Sequence, residues 1–121
     1  MSKVILVIED QEDNRRILRD LLNSVDYEVI EAVTGEDGVR SAMAHKPDLI
    51  LMDIQLPDFD GYEATRRIKA NPALSPIPII AVTSYALSGD DVKAFEAGCD
   101  AYVTKPFSPR ALLAKIREYF A

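Results

Sequence analysis

At 121 residues and 48% hydrophobic composition, the chain suits one compact domain, residues 1–121, and leaves little room for a second. Its formal net charge of -6 argues against direct contact with nucleic acid or an anionic membrane, either of which would repel it over a Debye length. The single cysteine, Cys99, rules out an internal disulfide, and with no signal peptide or long apolar run a reduced, cytoplasmic setting is expected. The first predicted element is the apolar run Val4 to Ile8, a strand buried on both faces that ends on two adjacent carboxylates, Glu9 and Asp10. A helix beginning at Asp13 or Asn14 follows, with Ile17, Leu18, Leu21, Leu22 and Val25 on one face. A weaker strand over Tyr27 to Ala32 leads to a helix capped by Thr34, with Asp37 near its positive end and Val39, Ala42 and Met43 as its buried stripe. Leu49 to Met52 forms a core strand ending at Asp53, and Gly61 to Ala70 a helix around Ile68. Pro72 and Pro76 mark the loop before a strand over Ile77 to Val82. A helix from about Ser88 to Ala97 and a short strand over Ala101 to Val103 come next. Ser108-Pro109, an N-cap followed by proline at the first helical position, opens the last helix, with Leu112, Ile116 and Phe120 on one face.

Strands alternating with helices of this length imply right-handed crossovers, a parallel sheet and helices on both its faces. Function in such α/β folds collects at the carboxyl ends of the strands. Those ends carry Glu9 and Asp10, then Asp53, then Thr83 and Ser84, and finally Lys105. Three carboxylates converging on one rim repel by about 4 kcal/mol per pair at roughly 4 Å and an effective dielectric near 20. A divalent cation removes that cost, and carboxylates without a His or Cys cluster favour Mg²⁺ or Mn²⁺ over zinc. A metal, a lysine and a hydroxyl together can bind phosphoryl oxygens, and an aspartate can attack phosphorus to become an aspartyl phosphate. Asp53, alone after a core strand, is the best placed.

These residues sit in "VIEDQEDN", "LILMDIQLPDFDG", "IIAVTS" and "YVTKPFSP", in that order. The sequence thereby resembles the receiver domain of bacterial two-component response regulators over essentially its whole length. The resemblance implies a flavodoxin-like doubly wound sheet of five parallel strands in the order 2-1-3-4-5, with five helices. It implies that Asp53 accepts a phosphoryl group from a phosphohistidine on a histidine kinase or phosphotransfer protein. It implies further that Glu9, Asp10, Asp53 and the main-chain carbonyl of Gln55 hold Mg²⁺, and that Lys105 pairs with the phosphate. Thr83 would be the switch hydroxyl, Tyr102 the rotating aromatic coupled to it, and Lys105-Pro106 a cis peptide. Ser84 adds a hydroxyl near the phosphate where the family most often has alanine, and the ring of Tyr85 would shield it from water. "EDQEDN" and "MDIQLPDFDGYEATRRIK" are similar to single-domain receivers of the DivK type and to receivers fused to hybrid kinases.

The chain is thus expected to be a phosphoacceptor signalling protein rather than an enzyme with a separate substrate. The rival is an aspartate-nucleophile phosphohydrolase, which typically carries a second aspartate two residues after the nucleophile, where this chain has Gln55. Neither G-x-G-x-x-G nor G-x-x-x-x-G-K-[ST] is present to bind a nucleotide. Because the chain stops after its fifth helix, output is expected to pass through a surface. The resemblance places that surface on the fourth helix, fifth strand and fifth helix. Outside the rim, Cys99 reads as a core thiol, His45 as a surface residue, and Arg66, Arg67 and Lys69 as a solvated helix face. Pro57 and Gly61 read as backbone devices of the loop after Asp53.

Overall fold

The computed structural model describes residues 2–58, 61–83, 90–105 and 107–120. Five strands, β1 (Val4–Ile8), β2 (Glu28–Ala32), β3 (Leu49–Asp53), β4 (Ile79–Thr83) and β5 (Ala101–Thr104), form one parallel sheet in the order β2-β1-β3-β4-β5. Five helices separate and follow them: α1 (Glu12–Asn23), α2 (Gly35–His45), α3 (Gly61–Ala70), α4 (Asp90–Ala97) and α5 (Pro109–Glu118). The expected doubly wound architecture and strand order are therefore present. The expected start of α4 at Ser88 lies outside the described residues, as do Ser84, Tyr85 and Pro106.

The three central strands are buried along nearly their whole length because both faces are covered. Alternate residues part cleanly between two cores. Leu6, Ile8, Ile50, Met52, Ile79 and Ala81 meet Ala42, Ala64, Ile68 and Ala94 on the side of α2, α3 and α4. Ile5, Val7, Leu49, Leu51, Ile80 and Val82 meet Leu18, Leu22, Leu112, Leu113 and Ile116 on the side of α1 and α5. Helix ends follow the expected chemistry at two places. The Thr34 hydroxyl accepts from the Asp37 amide at 3.0 Å, and Ser108 accepts from that of Ala111 at 3.3 Å ahead of Pro109 at the first turn.

Four expectations are corrected. Helix α1 begins at Glu12, before Asp13, and its cap position is Gln11, whose side chain makes no capping bond. Ile17 is 56% exposed, because the buried line of α1 runs through Leu18 and Leu22, and one residue along a helix is a rotation of about 100°. Met43 is 54% exposed for the same reason: α2 seats its small residues Gly35, Gly38 and Ala42 on the sheet, with Val39 partly buried. A Cβ on Gly38 would press into the Ile8 side chain, so the bare backbone of residue 38 is what lets α2 approach β1 this closely. Arg66 and Arg67 are exposed and pair with Glu63, but Lys69 is not part of a solvated face. Its ammonium donates to the carbonyls of Ser75 and Ile77 at 3.0 and 2.8 Å and to Asp100 at 3.1 Å, and Asp100 accepts from the Ile79 amide at 2.8 Å. That network ties the α3–β4 connection to the start of β5 at the end of the sheet opposite the acidic rim. Cys99 is buried, its Sγ 3.7 Å from the Thr65 hydroxyl, and burial raises its thiol above the ordinary range. His45 is exposed at the end of α2.

Candidate functional site

Parallel strands in register deliver their last residues to one rim. Ile8 lies opposite Met52, Asp53 opposite Val82, and Thr83 opposite Thr104, so Glu9, Asp53, Thr83 and Lys105 all emerge at the carboxyl end of the sheet. Glu9 is 2% exposed, Asp53 6% and Thr83 1%, which makes them buried polar side chains beside a dry core. Glu9, Asp10 and Asp53 each offer a carboxylate oxygen, and these atoms lie within 4.8 Å of one another. Asp10 is the most exposed of the three.

Burial of like charges at this spacing demands compensation, and the chain supplies two kinds. The Lys105 ammonium donates to Glu9 Oε1 at 2.7 Å and stands 3.9 Å from Asp53 Oδ1. Its backbone amide is fixed by the Thr83 carbonyl at 2.6 Å, which anchors the lysine to the end of β4. The second device is a proton. Burial, reinforced by the neighbouring Glu9 carboxylate, pushes the Asp53 carboxyl up to about 7. Burial also acts on Glu9, but bonds from Lys105, from the protonated Asp53 and from the Gln11 amide together hold its carboxyl below the usual range. Asp10 is raised, by burial first and by Glu9 second. The arrangement is an acidic nest with one ammonium and one carboxyl of raised proton affinity, with hard oxygen donors and no His or Cys within the group. Such a donor set can hold a divalent cation of the magnesium type.

The loop after β3 orients the central carboxylate. The Gln55 amide donates to Asp53 Oδ1 at 3.2 Å, and the Gly61 amide closes the loop on the Ile54 carbonyl at 2.8 Å. A Cβ on Gly61 would collide with the Asp53 carbonyl oxygen and the Ile54 backbone, so backbone itself excludes any larger residue. Tyr102 lies opposite Ala81 in β5, partly buried against the core on the α2 to α4 side.

Sequence reasoning passed over two supports of the rim. Arg15 on α1 donates through one nitrogen to the main-chain carbonyls of Glu9 and Asp10 at 3.0 and 2.9 Å. Glu31 on β2 holds that guanidinium at 3.4 Å and also accepts from Arg19 at 3.0 Å. Asp58 caps α2 from the β3–α3 loop, accepting from the Gly35 and Glu36 amides at 2.9 and 3.0 Å. Nothing in the charge pattern separates Arg15 from Arg16, which pairs with the exposed Asp13, because only the fold shows which of them faces the carbonyls.

Comparison with known proteins agrees with this geometry. The model of the family described as response regulator receiver domain matches residues 5–117. The polar-differentiation response regulator DivK of Brucella ovis is 41% identical over 119 residues, covering 98% of this chain and 97% of the relative. The receiver domain of the sensor histidine kinase PA1611 from Pseudomonas aeruginosa, solved with a magnesium ion coordinated in its active-site cleft, superposes with a TM-score of 0.92 at 38% identity and 98% coverage of both chains. The BeF3-activated DrrB receiver domain superposes with a TM-score of 0.89 at 32% identity, covering 99% of this chain and 98% of that one. The matched span contains every rim residue from Glu9 to Lys105. The chain belongs to the response regulator receiver domain family, whose members are phosphorylated on an aspartate in two-component signalling.

Proposed function

We propose that Asp53 is the phosphoacceptor of a receiver spanning residues 1–121, and that its donor is the phosphohistidine of a histidine kinase or a histidine phosphotransfer protein. The observation that carries this reading is the placement of the Asp53 carboxylate: buried, at the end of a central strand, inside the acidic group and 3.9 Å from the Lys105 ammonium. An Asp53 oxygen attacks phosphorus as the bond from phosphorus to the imidazole nitrogen breaks, and the electron pair leaves with that nitrogen. The attacking form of Asp53 is its carboxylate, whose orientation the Gln55 amide fixes at 3.2 Å. Lys105 turns part of its charge from Glu9 toward the phosphoryl oxygens, the Thr83 hydroxyl would offer them a further hydrogen bond, and Ser84, which lies outside the described residues, is proposed as another donor. Glu9, Asp10, Asp53 and the Gln55 carbonyl would hold Mg²⁺, with Mn²⁺ as a substitute, and the bound ion supplies positive charge for the transferring group. The PA1611 receiver domain, solved with magnesium in its cleft, supports that choice.

The direct test is labelling with acetyl phosphate and Mg²⁺, borohydride trapping and mass spectrometry. Modification is expected at Asp53 and nowhere in Asp53→Asn; undiminished label in that variant would assign another nucleophile. The role is that of a signalling protein in the cytoplasm, turning over only its own phosphorylation, with a protein target and neither nucleic acid nor membrane as a direct partner. The net charge of -6 supports this, and among the described residues no helix is long and apolar enough to cross a membrane. Position 55 is an amide rather than a second acid, and family membership supports the phosphoacceptor reading over the phosphohydrolase one.

Output through the surface of α4, β5 and α5 requires that the rim be felt there. Thr83 ends β4 beside Lys105, and Tyr102 lies on the neighbouring strand, so phosphate drawing in the Thr83 hydroxyl would give the Tyr102 ring room to turn inward. The bond from Thr83 to phosphate must supply the difference between the two states, about 1.5–3 kcal/mol for a charge-assisted hydrogen bond. Thr83→Ala is therefore expected to accept phosphate yet to lose most of the NMR shifts that beryllofluoride, a mimic of the aspartyl phosphate, produces around Tyr102 and α5. Full-sized shifts in the variant would remove Thr83 from the switch.

A further inference from the structure

The loop that carries Gln55 away from the phosphoacceptor is held at two points, Gln55 and Asp58, by hydrogen bonds of different kinds. At its start the Gln55 amide donates to Asp53 Oδ1. Farther along, the Asp58 carboxylate receives the Gly35 amide on Oδ1 at 2.9 Å and the Glu36 amide on Oδ2 at 3.0 Å. Those amides belong to the first turn of α2, where unsatisfied N–H groups and the helix dipole both favour a negative charge. The helix is itself a firm anchor. Gly38 is pressed against Ile8, the last residue of β1, and Ala32, which leads into the Thr34 cap, accepts the Glu9 amide at 3.0 Å. The N-terminus of α2 therefore stands in fixed relation to the acidic end of β1, and Asp58 ties the loop beyond the nucleophile to the same point.

We infer that Asp58 is a positioning residue for phosphoryl transfer, clamping the β3–α3 loop to α2 so that the Gln55 backbone meets Asp53 and the acidic rim at the working distance. It touches neither the phosphoryl group nor the nucleophile and acts through the loop. The inference rests on Asp53 being the acceptor.

A natural control separates this role from helix capping. Thr34 caps the same end of α2 through the Asp37 amide and makes no bond to the β3–α3 loop among the described residues. Wild type, Asp58→Ala, Asp58→Asn and Thr34→Ala are compared for melting temperature, for the initial rate of phosphorylation by acetyl phosphate at saturating Mg²⁺, and for the amide resonances of Asp53 and Gln55 in the unphosphorylated protein. Loss of either cap should lower the melting temperature by a similar amount. Of the two cap deletions, only Asp58→Ala should slow phosphorylation, by about tenfold, within the range that a slightly misplaced reacting group costs. Asp58→Asn, which keeps one acceptor oxygen, should fall between it and wild type, and provides the test if the alanine variant does not fold. The Gln55 resonance should move in Asp58→Ala and stay in Thr34→Ala. A wild-type rate with an unmoved Gln55 resonance in both Asp58 variants would overturn the inference, and so would equal slowing in Thr34→Ala. If wild type takes no label on Asp53, the acceptor assignment fails instead, while the Gln55 resonance still reports whether the clamp exists.

Discussion

Lys105→Met is expected to cut the rate of phosphorylation by acetyl phosphate by about 10²–10³-fold, the range seen when one preorganised charge or donor is removed from a developing anion. Methionine keeps most of the length and the apolar character of the lysine stem, so packing at the mouth of β5 changes little. What disappears is the ammonium 2.7 Å from Glu9 Oε1 and 3.9 Å from Asp53 Oδ1. Two consequences follow from that single loss. Glu9 no longer has its ion pair, so its carboxyl should rise toward and beyond the ordinary value, since burial then acts against its charge with less opposition. The incoming phosphoryl oxygens also lose the ammonium that stands 3.9 Å from Asp53 Oδ1. Initial rates at saturating Mg²⁺ isolate the second effect, because the metal then occupies its site in both proteins. A Lys105→Met variant that phosphorylates within about threefold of wild type would place the lysine outside the transfer step, as a structural counterion of Glu9 alone.

Without metal, stability is expected to fall as the pH rises from about 4 to about 7. Asp53 is pushed up from 3.8 to about 7, by burial first and by Glu9 second. Between those values the folded protein keeps a proton that the unfolded chain has released. The associated stability is complete below the unfolded value and is lost as the pH climbs through the folded one. Asp10, raised by the same two causes, adds with the same sign. Glu9 is lowered, so its contribution is present above its unfolded value of 4.5 and disappears only in stronger acid. The net loss is on the order of 2–4 kcal/mol, or roughly 10 °C in melting temperature for a domain of this size. Thermal unfolding in EDTA at about pH 5 and pH 8 measures it. Asp53→Asn should flatten the profile, since the amide cannot titrate. Saturating Mg²⁺ should restore wild type most strongly at the higher pH, where a cation bound only by the native state replaces the missing proton. An unchanged slope in Asp53→Asn would move the titration to another group.

The order of elements, the parallel sheet and the rim of Glu9, Asp10, Asp53, Thr83 and Lys105 were all legible in the sequence. The reason is physical: strands buried on both faces announce themselves as unbroken apolar runs, and parallel connection sends every carboxyl end to the same side. Whatever polar residue ends such a run is therefore placed before any coordinates are known. Tertiary structure alone decided the rest. Periodicity weights large side chains, so it assigned Met43 to the core where the buried residues are the small Gly35, Gly38 and Ala42, with Gly38 against Ile8, and Ile17 to a stripe that runs through Leu18 and Leu22. Lys69 read as solvated because its partners, the carbonyls of Ser75 and Ile77 and the carboxylate of Asp100, are brought to it only by the fold. Arg15 and Asp58 were silent for the same reason, since both act on backbone groups, and a backbone amide or carbonyl leaves no mark in the amino-acid sequence. The protonation of the rim belongs here too. Three acids can be counted in the sequence, but which one is raised toward neutrality depends on burial and on the 2.7 Å contact that commits Lys105 to Glu9, and these exist only after the strands have packed.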